Sequence, residues 1–331
     1  MAFEKEKQVA IEAVTKACGL CRSVQRNLIS AETLDKKDRS PVTVADFGVQ
    51  AVVTADLIAQ FANLPIVGEE DATELRKAEN AELKQRVVEH VAAIRPELNE
   101  EHILSAIDYG TYTGGPTGRH WALDPIDGTK GFLRNDQYAI ALGLIEDGEV
   151  VLGVLGCPSL PLKLDDPDGA RGCLFVGVQG EPAVMRSLAD GSEIRINVSD
   201  VVDPKGASIC ESVEKGHTKQ SDTARIAEIL GICAPPVRID SQCKYAVTAR
   251  GESSIYLRMP TRADYEERIW DHAAGWAVIK SAGGEVTDIH GKPLDFSLGR
   301  TLKNNAGVVA TNGKLHEPVL KAIAEVLSSQ S

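Results

Sequence analysis

The sequence predicts a mixed α and β chain of two unlike halves, an antiparallel α+β half over residues 1–193 and an α/β half over 194–331. Three observations carry this. Segments 5–29 and 42–61 repeat apolar residues at helical spacing; 138–157 alternates as a hairpin does; and beyond about Ile194 short apolar runs alternate with helical stretches. Taken in order, Ser40-Pro41 is a start signal for the second helix. Pro65-Ile66-Val67 then reads as a strand end running into Glu69-Glu70-Asp71, and the charged 72–94 as one or two surface helices. The apolar residues before Asp124 suit a buried strand, and Asp127-Gly128-Thr129 suits a turn opening a helix. Tyr138 to Ile145, the turn Glu146-Asp147-Gly148-Glu149 and Val150 to Leu155 complete a hairpin that ends at Cys157. A loop rich in proline, aspartate and glycine covers 161–172, and short strands and helices alternate from 225 to 328.

At 331 residues the chain can form one large or two coupled domains, and 43% hydrophobic with 25% charged content is that of an ordinary globular protein. No apolar run approaches a membrane span, and Met1-Ala2-Phe3-Glu4-Lys5 reads as neither signal nor transit peptide. The expectation is a soluble cytoplasmic protein, or an organellar one if a presequence was removed. A net charge of −12 and a pI near 5.2 argue against a long nucleic-acid partner but leave room for a small polyanion. The expected state is a monomer, with a homodimer as the alternative. Seven cysteines, an odd number spread along the chain, suit a reducing compartment. Cys18 and Cys21 read as helix-face residues, whereas Cys157 and Cys173 fall on neighbouring strands and are candidates for a regulatory disulfide under oxidation, with two unlinked thiols as the alternative.

The chemistry concentrates in Asp124-Pro125-Ile126-Asp127-Gly128-Thr129. Two carboxylates three residues apart, beside a helix start that would attract phosphate, call for a cation, and hard oxygen ligands suit magnesium. Glu69 and Asp271, at a strand exit and at the start of a small-residue helix, can join them. Each has a plainer reading alone: a turn for 124–129, a solvated loop for 69–71, a helix cap for Asp271.

Together, Gly68-Glu69-Glu70, Asp124-Pro125-Ile126-Asp127-Gly128-Thr129 and Trp270-Asp271-His272-Ala273-Ala274-Gly275 resemble, in order, the signatures of the lithium-sensitive, magnesium-dependent phosphomonoesterases of the inositol monophosphatase superfamily. Within it the chain is similar to the plant and fungal 3'(2'),5'-bisphosphate nucleotidases over nearly its whole length, including Ser40 to Asp46 and Asp240 to Tyr245. The resemblance implies a layered αβαβα sandwich with the site between its halves. It implies two to three magnesium ions held by Glu69, Asp124, Asp127, Asp271 and the Ile126 carbonyl, and a water activated by Asp46 with Thr129. Read alone, Asp46 is a helix-surface acid. Gly128, Thr129, His217, Ser241, Lys244, Arg258 and Asp271 are implied substrate contacts, with Lys244 and Arg258 suited to the phosphate that is not cleaved. The implied reaction is removal of the 3'-phosphate from adenosine 3',5'-bisphosphate, with 3'-phosphoadenosine 5'-phosphosulfate also accepted, lithium inhibition, and roles in sulfur assimilation and salt tolerance. The alternatives are inositol 1,4-bisphosphate or inositol monophosphate as substrate, and a non-catalytic nucleotide-binding protein.

Overall fold

A computed structural model describes residues 3–30, 40–213, 219–262 and 264–329. Helices α1 (Glu4–Ser30) and α2 (Ser40–Gln60) pack together and bury their apolar faces on a seven-stranded sheet. Its strands are β1 (Ile66–Gly68), β2 (Arg119–Asp127), β3 (Ala139–Glu146), β4 (Glu149–Pro161), β5 (Arg171–Val178), β6 (Val184–Ser187) and β7 (Glu193–Arg195), in spatial order. Only the β1 and β2 pair is parallel; the rest of the ladder is antiparallel. Between β1 and β2 lie α3 (Ala81–Ala92) and α4 (Glu100–Asp108), and α5 (Thr129–Leu133) follows β2. The hairpin of β3 and β4 is where the alternation placed it. However, β4 runs four residues beyond Cys157, through a register break, and α4, β6 and β7 went unread because they are short.

The second sheet has the order β11-β12-β10-β8-β9, from β8 (Ile209–Glu211), β9 (Val237–Arg238), β10 (Ile255–Arg258), β11 (Glu285–Thr287) and β12 (Val308–Thr311). Helices α7 (Cys243–Ala249) and α8 (Ala273–Ser281) lie between the sheets, and α6 (Gln220–Leu230) and α9 (His316–Ser328) cover the far face. Three apolar cores therefore separate five layers, the expected αβαβα sandwich.

One local feature places the site. Gly143, Gly153 and Gly177 are aligned in register across β3, β4 and β5. A Cβ on Gly153 would come 2.4 Å from the Ala274 carbonyl oxygen, one on Gly177 2.4 Å from that of Ala277, and one on Gly143 2.8 Å from the Ala273 Cβ. The small-residue face of α8 thus lies backbone to backbone on a glycine track, which brings Asp271, two residues before the helix, down to the level of the strand ends.

Candidate metal and phosphate site

Glu69 reaches Asp124 because Gly68 is in register with Leu123, so two parallel strands end side by side. Residues three apart on a regular strand face opposite ways. In β2 they do not, because the ladder passes from Asp124 opposite Ala141 to Asp127 opposite Ala139, a bulge that takes up Pro125 and Ile126. The extra residue turns both carboxylates to one side. Gly128 follows at φ 89°, a left-handed conformation that favours glycine, and α5 begins at Thr129. A Cβ on Gly128 would come 2.9 Å from that of Ser241, so the turn is seated against the second half.

Asp46 approaches from α2. It is buried, and its Oδ1 has no hydrogen-bond partner; the same is true of Oδ1 of Asp124. Burial, then the Glu70 and Glu69 charges, push Asp46 well above the usual carboxylate range. Asp124 is raised by burial and by Glu69, Asp127, Asp271 and Asp46. Glu69, at the open mouth of the cleft, is pushed up to about 8 by its low-polarity surroundings and by Asp271 and Glu70. Asp271 is raised by burial to about 6, although Arg258 and His272 pull it down. Five acids crowd together, Asp46 and Asp124 buried and the others toward the mouth, and two buried oxygens lack donors. A hard dication bound by oxygen supplies what this donor set lacks.

Glu267, Asp271 and His272 also place ligand atoms within 4.8 Å of one another. Their chemistry argues against a metal centre there. Arg258 grips Glu267 with Nε donating to Oε1 at 3.0 Å and Nη2 2.8 Å from Oε2. The His272 ring bonds Glu267 through Nε2 at 3.1 Å and the Tyr245 hydroxyl through Nδ1 at 2.9 Å. Burial would raise Glu267, but Arg258 and His272 outweigh it and hold the carboxyl down at about 2. This network already carries its own counter-charge.

A cavity of about 390 Å³ opens beside Asp127 and Asp271 and is lined by Arg258, Thr261, Arg262 and Tyr265. Lys244 is buried on α7 with its ammonium 5.4 Å from the centre of the Tyr256 ring, and burial lowers its proton affinity while Asp127 raises it. Ser241, at φ 64°, donates from Oγ to the Asp240 carbonyl at 2.6 Å. The loop is tethered from the first half by an Arg134 to Asp240 ion pair, and the Gln242 N–H donates to Asp127. Arg258 is less free than its sequence position suggests, because Nε and Nη2 are engaged by Glu267 and Nη2 also lies 3.5 Å from Asp271. His217 lies outside the described residues.

Cys157 and Cys173, the candidate redox pair, are not bonded to each other in this structure. The two residues are in register, but both thiols are free and buried. Cys173 donates toward the Leu160 and Pro161 carbonyls, and the Cys243 thiol near Cys157 donates to the Tyr138 carbonyl at 3.3 Å. Burial pushes the Cys173 thiol up to about 11 and Cys157 well above its usual range, which suppresses thiolate chemistry.

Two contributors escaped the sequence reading. Gln50 bridges the Glu70 backbone, accepting from its N–H at 3.0 Å and donating to its carbonyl, and also donates to the Ile107 carbonyl at 2.8 Å. A lone glutamine four residues after Asp46 in an apolar run was the available signal. Glu267 had only its spacing of five from His272 to mark it.

A family model described as the inositol monophosphatase family matches residues 3–328. A relative from Schizosaccharomyces pombe named 3'(2'),5'-bisphosphate nucleotidase is 45% identical, covering 99% of this chain and 97% of its own length. An Arabidopsis thaliana relative named 3'(2'),5'-bisphosphate nucleotidase 1 is 46% identical over 100% and 98%. Among solved structures, inositol monophosphatase from Anabaena superposes with a TM-score of 0.64 at 20% identity, covering 98% of this chain and 97% of that one, a likeness of fold.

Proposed function

The chain belongs to the inositol monophosphatase family, and from that premise we propose that it is a magnesium-dependent 3'(2'),5'-bisphosphate nucleotidase, releasing the 3'-phosphate of adenosine 3',5'-bisphosphate as inorganic phosphate and leaving AMP. The observation that carries the reading is a cluster of five acids, two with unpartnered buried oxygens, next to a cavity lined by Arg258 and Arg262. Glu69, Asp124, Asp127 and Asp271, with the Ile126 carbonyl, would hold two to three ions. Bound magnesium supplies charge neutralisation at the phosphate oxygens and a more acidic water.

The remaining roles fall to the chain's own groups. Asp46, with its proton affinity raised by burial and by Glu70 and Glu69, accepts the proton of the attacking water. Thr129, first residue of α5, orients that water through its hydroxyl, which can accept and donate at once. Lys244 and the Nη1 edge of Arg258 face the phosphate that stays, and Gly128 and Ser241 shape the turn against the sugar. Both halves of the site come from one chain, so the reading needs only a monomer. Seven free thiols fit a reducing cytoplasm or organelle interior.

The test compares phosphate release from adenosine 3',5'-bisphosphate, 3'-phosphoadenosine 5'-phosphosulfate and inositol 1,4-bisphosphate, each with magnesium, with EDTA and with added lithium. The expected result is magnesium-dependent preference for the two nucleotides, abolished by EDTA and depressed by lithium. Preference for the inositol compound would overturn the substrate, and nucleotide binding without turnover would overturn the enzyme reading.

A further inference from the structure

Glu69 and Asp271 come from opposite halves of the chain. One side chain links the segments that carry them. Arg300 Nη2 donates to the Gly68 carbonyl at 2.5 Å, and Nη1 donates to the Tyr112 carbonyl at 2.9 Å and the Gly110 carbonyl at 3.4 Å. Gly110 in turn accepts the Gly68 N–H at 2.7 Å, so the guanidinium closes a ring of bonds around the residue immediately before Glu69. On its other side Arg300 holds the segment that carries the second acid. Its guanidinium carbon lies 4.7 Å from the centre of the Trp270 ring, and its carbonyl accepts the Ile269 N–H at 3.1 Å. Trp270 immediately precedes Asp271.

The 297–300 loop is itself fixed to the first half by close backbone approach. A Cβ on Gly114 would come 3.0 Å from the Gly299 backbone, and one on Gly148 would come 2.8 Å from the Ser297 Cβ. A planar fork with five donors satisfies three carbonyls and stacks on an indole at the same time, which an ammonium cannot do.

We propose that Arg300 is a positioning residue that sets the spacing of Glu69 and Asp271, and through it the affinity of the site for divalent cations. It makes no contact with substrate in this role and acts through the two segments it clamps. The inference rests on the reading of the carboxylate cluster as a metal site.

The experiment measures Mn²⁺ binding by electron paramagnetic resonance, and magnesium activation of phosphate release, for the unaltered protein, Arg300→Lys, Arg300→Gln and Arg268→Ala. Arg268 is the control because its guanidinium carbon also lies over the Trp270 ring, at 5.8 Å, without bridging to Gly68. The expected result for Arg300→Gln is Mn²⁺ affinity weaker by about 10- to 100-fold, the range seen when a supporting partner of a metal ligand is lost. The magnesium concentration for half-activation rises in step, while kcat at saturating magnesium is largely recovered. Arg300→Lys falls between, and Arg268→Ala binds as the unaltered protein does. Unchanged Mn²⁺ affinity in Arg300→Gln, or a kcat loss that magnesium does not recover, would overturn the inference. If Arg300→Gln is too unstable to assay, Arg300→Lys with undiminished Mn²⁺ affinity would overturn it equally. Failure of the unaltered protein to bind Mn²⁺ would overturn the metal reading and this inference with it.

Discussion

Two acidic networks meet at Asp271, and they solve the same electrostatic problem in opposite ways. On one side Glu267 is buried with Arg258, His272 and Tyr245 around it, its charge matched within the protein. On the other, Asp46, Glu69, Asp124 and Asp127 face one another, burial and neighbouring charges raise the proton affinity of Asp46, Glu69 and Asp124, and two of the buried oxygens have no donor. A buried acid that is already paired is architecture; a group of buried acids left short of positive charge is a request for a ligand. Proximity alone does not separate the two, since a triad of possible ligands within 4.8 Å of one another, Glu267 with Asp271 and His272, belongs to the paired network.

The comparison breaks most visibly if the same chemical change has the same effect on both sides. Asp124→Asn is expected to lower phosphate release at least about 10³-fold. Measured in EDTA, it should raise the melting temperature, because it removes one repelling charge from a crowded site. Glu267→Gln should instead destabilise the protein by about 3–5 kcal/mol in denaturant titration, since it leaves the buried Arg258 without its partner. A melting temperature that falls for Asp124→Asn would show that the cluster is paired after all.

Stability against pH sharpens the same point. Glu69 has a folded-state pKa raised from 4.5 to about 8, so its contribution is fully present below pH 4.5 and is lost as pH rises toward 8. Metal-free protein should therefore melt at progressively lower temperature from pH 5 to 8, and magnesium should flatten that slope. A metal-free profile that is already flat would contradict the cluster's electrostatics.

The smallest expected effect concerns His120, buried on β2 with neither ring nitrogen bonded and its pKa lowered by burial to about 4. Here the folded pKa is depressed, so stability is full above pH 6.5 and is lost as pH falls toward 4, by about 2–3 kcal/mol. His120→Phe should remove most of that acid-side loss in pH-dependent unfolding. Persistence of the loss would assign it to another group.

Much of the site was legible because its acids sit where local grammar marks them, at a strand exit for Glu69, at a proline bulge and glycine turn for Asp124 and Asp127, and at a helix start for Asp271. Asp46 carries no such mark. It lies within a helix, and only the resemblance singled it out. What stayed hidden depends on register between distant segments. The alignment of Gly143, Gly153 and Gly177, the reach of Arg300 to Gly68, and the capture of Arg258 by Glu267 all require the folded sandwich. The sequence also put Cys157 opposite Cys173, but it could not show that the Cys173 thiol is taken up by the β4 carbonyls of Leu160 and Pro161.

The glycine track under α8 has a mechanical consequence. Where side chains meet, a spacing can relax through rotamer changes; where backbone lies on backbone, there is no torsion to yield and little void to compress. The height of α8 above β3, β4 and β5 is thereby set by a hard stop, in the way that a shim sets a bearing, while the lateral spacing of Glu69 and Asp271 is left to Arg300. Such a joint holds its dimension without any bond dedicated to the task, and what defines it is the atoms that three positions lack.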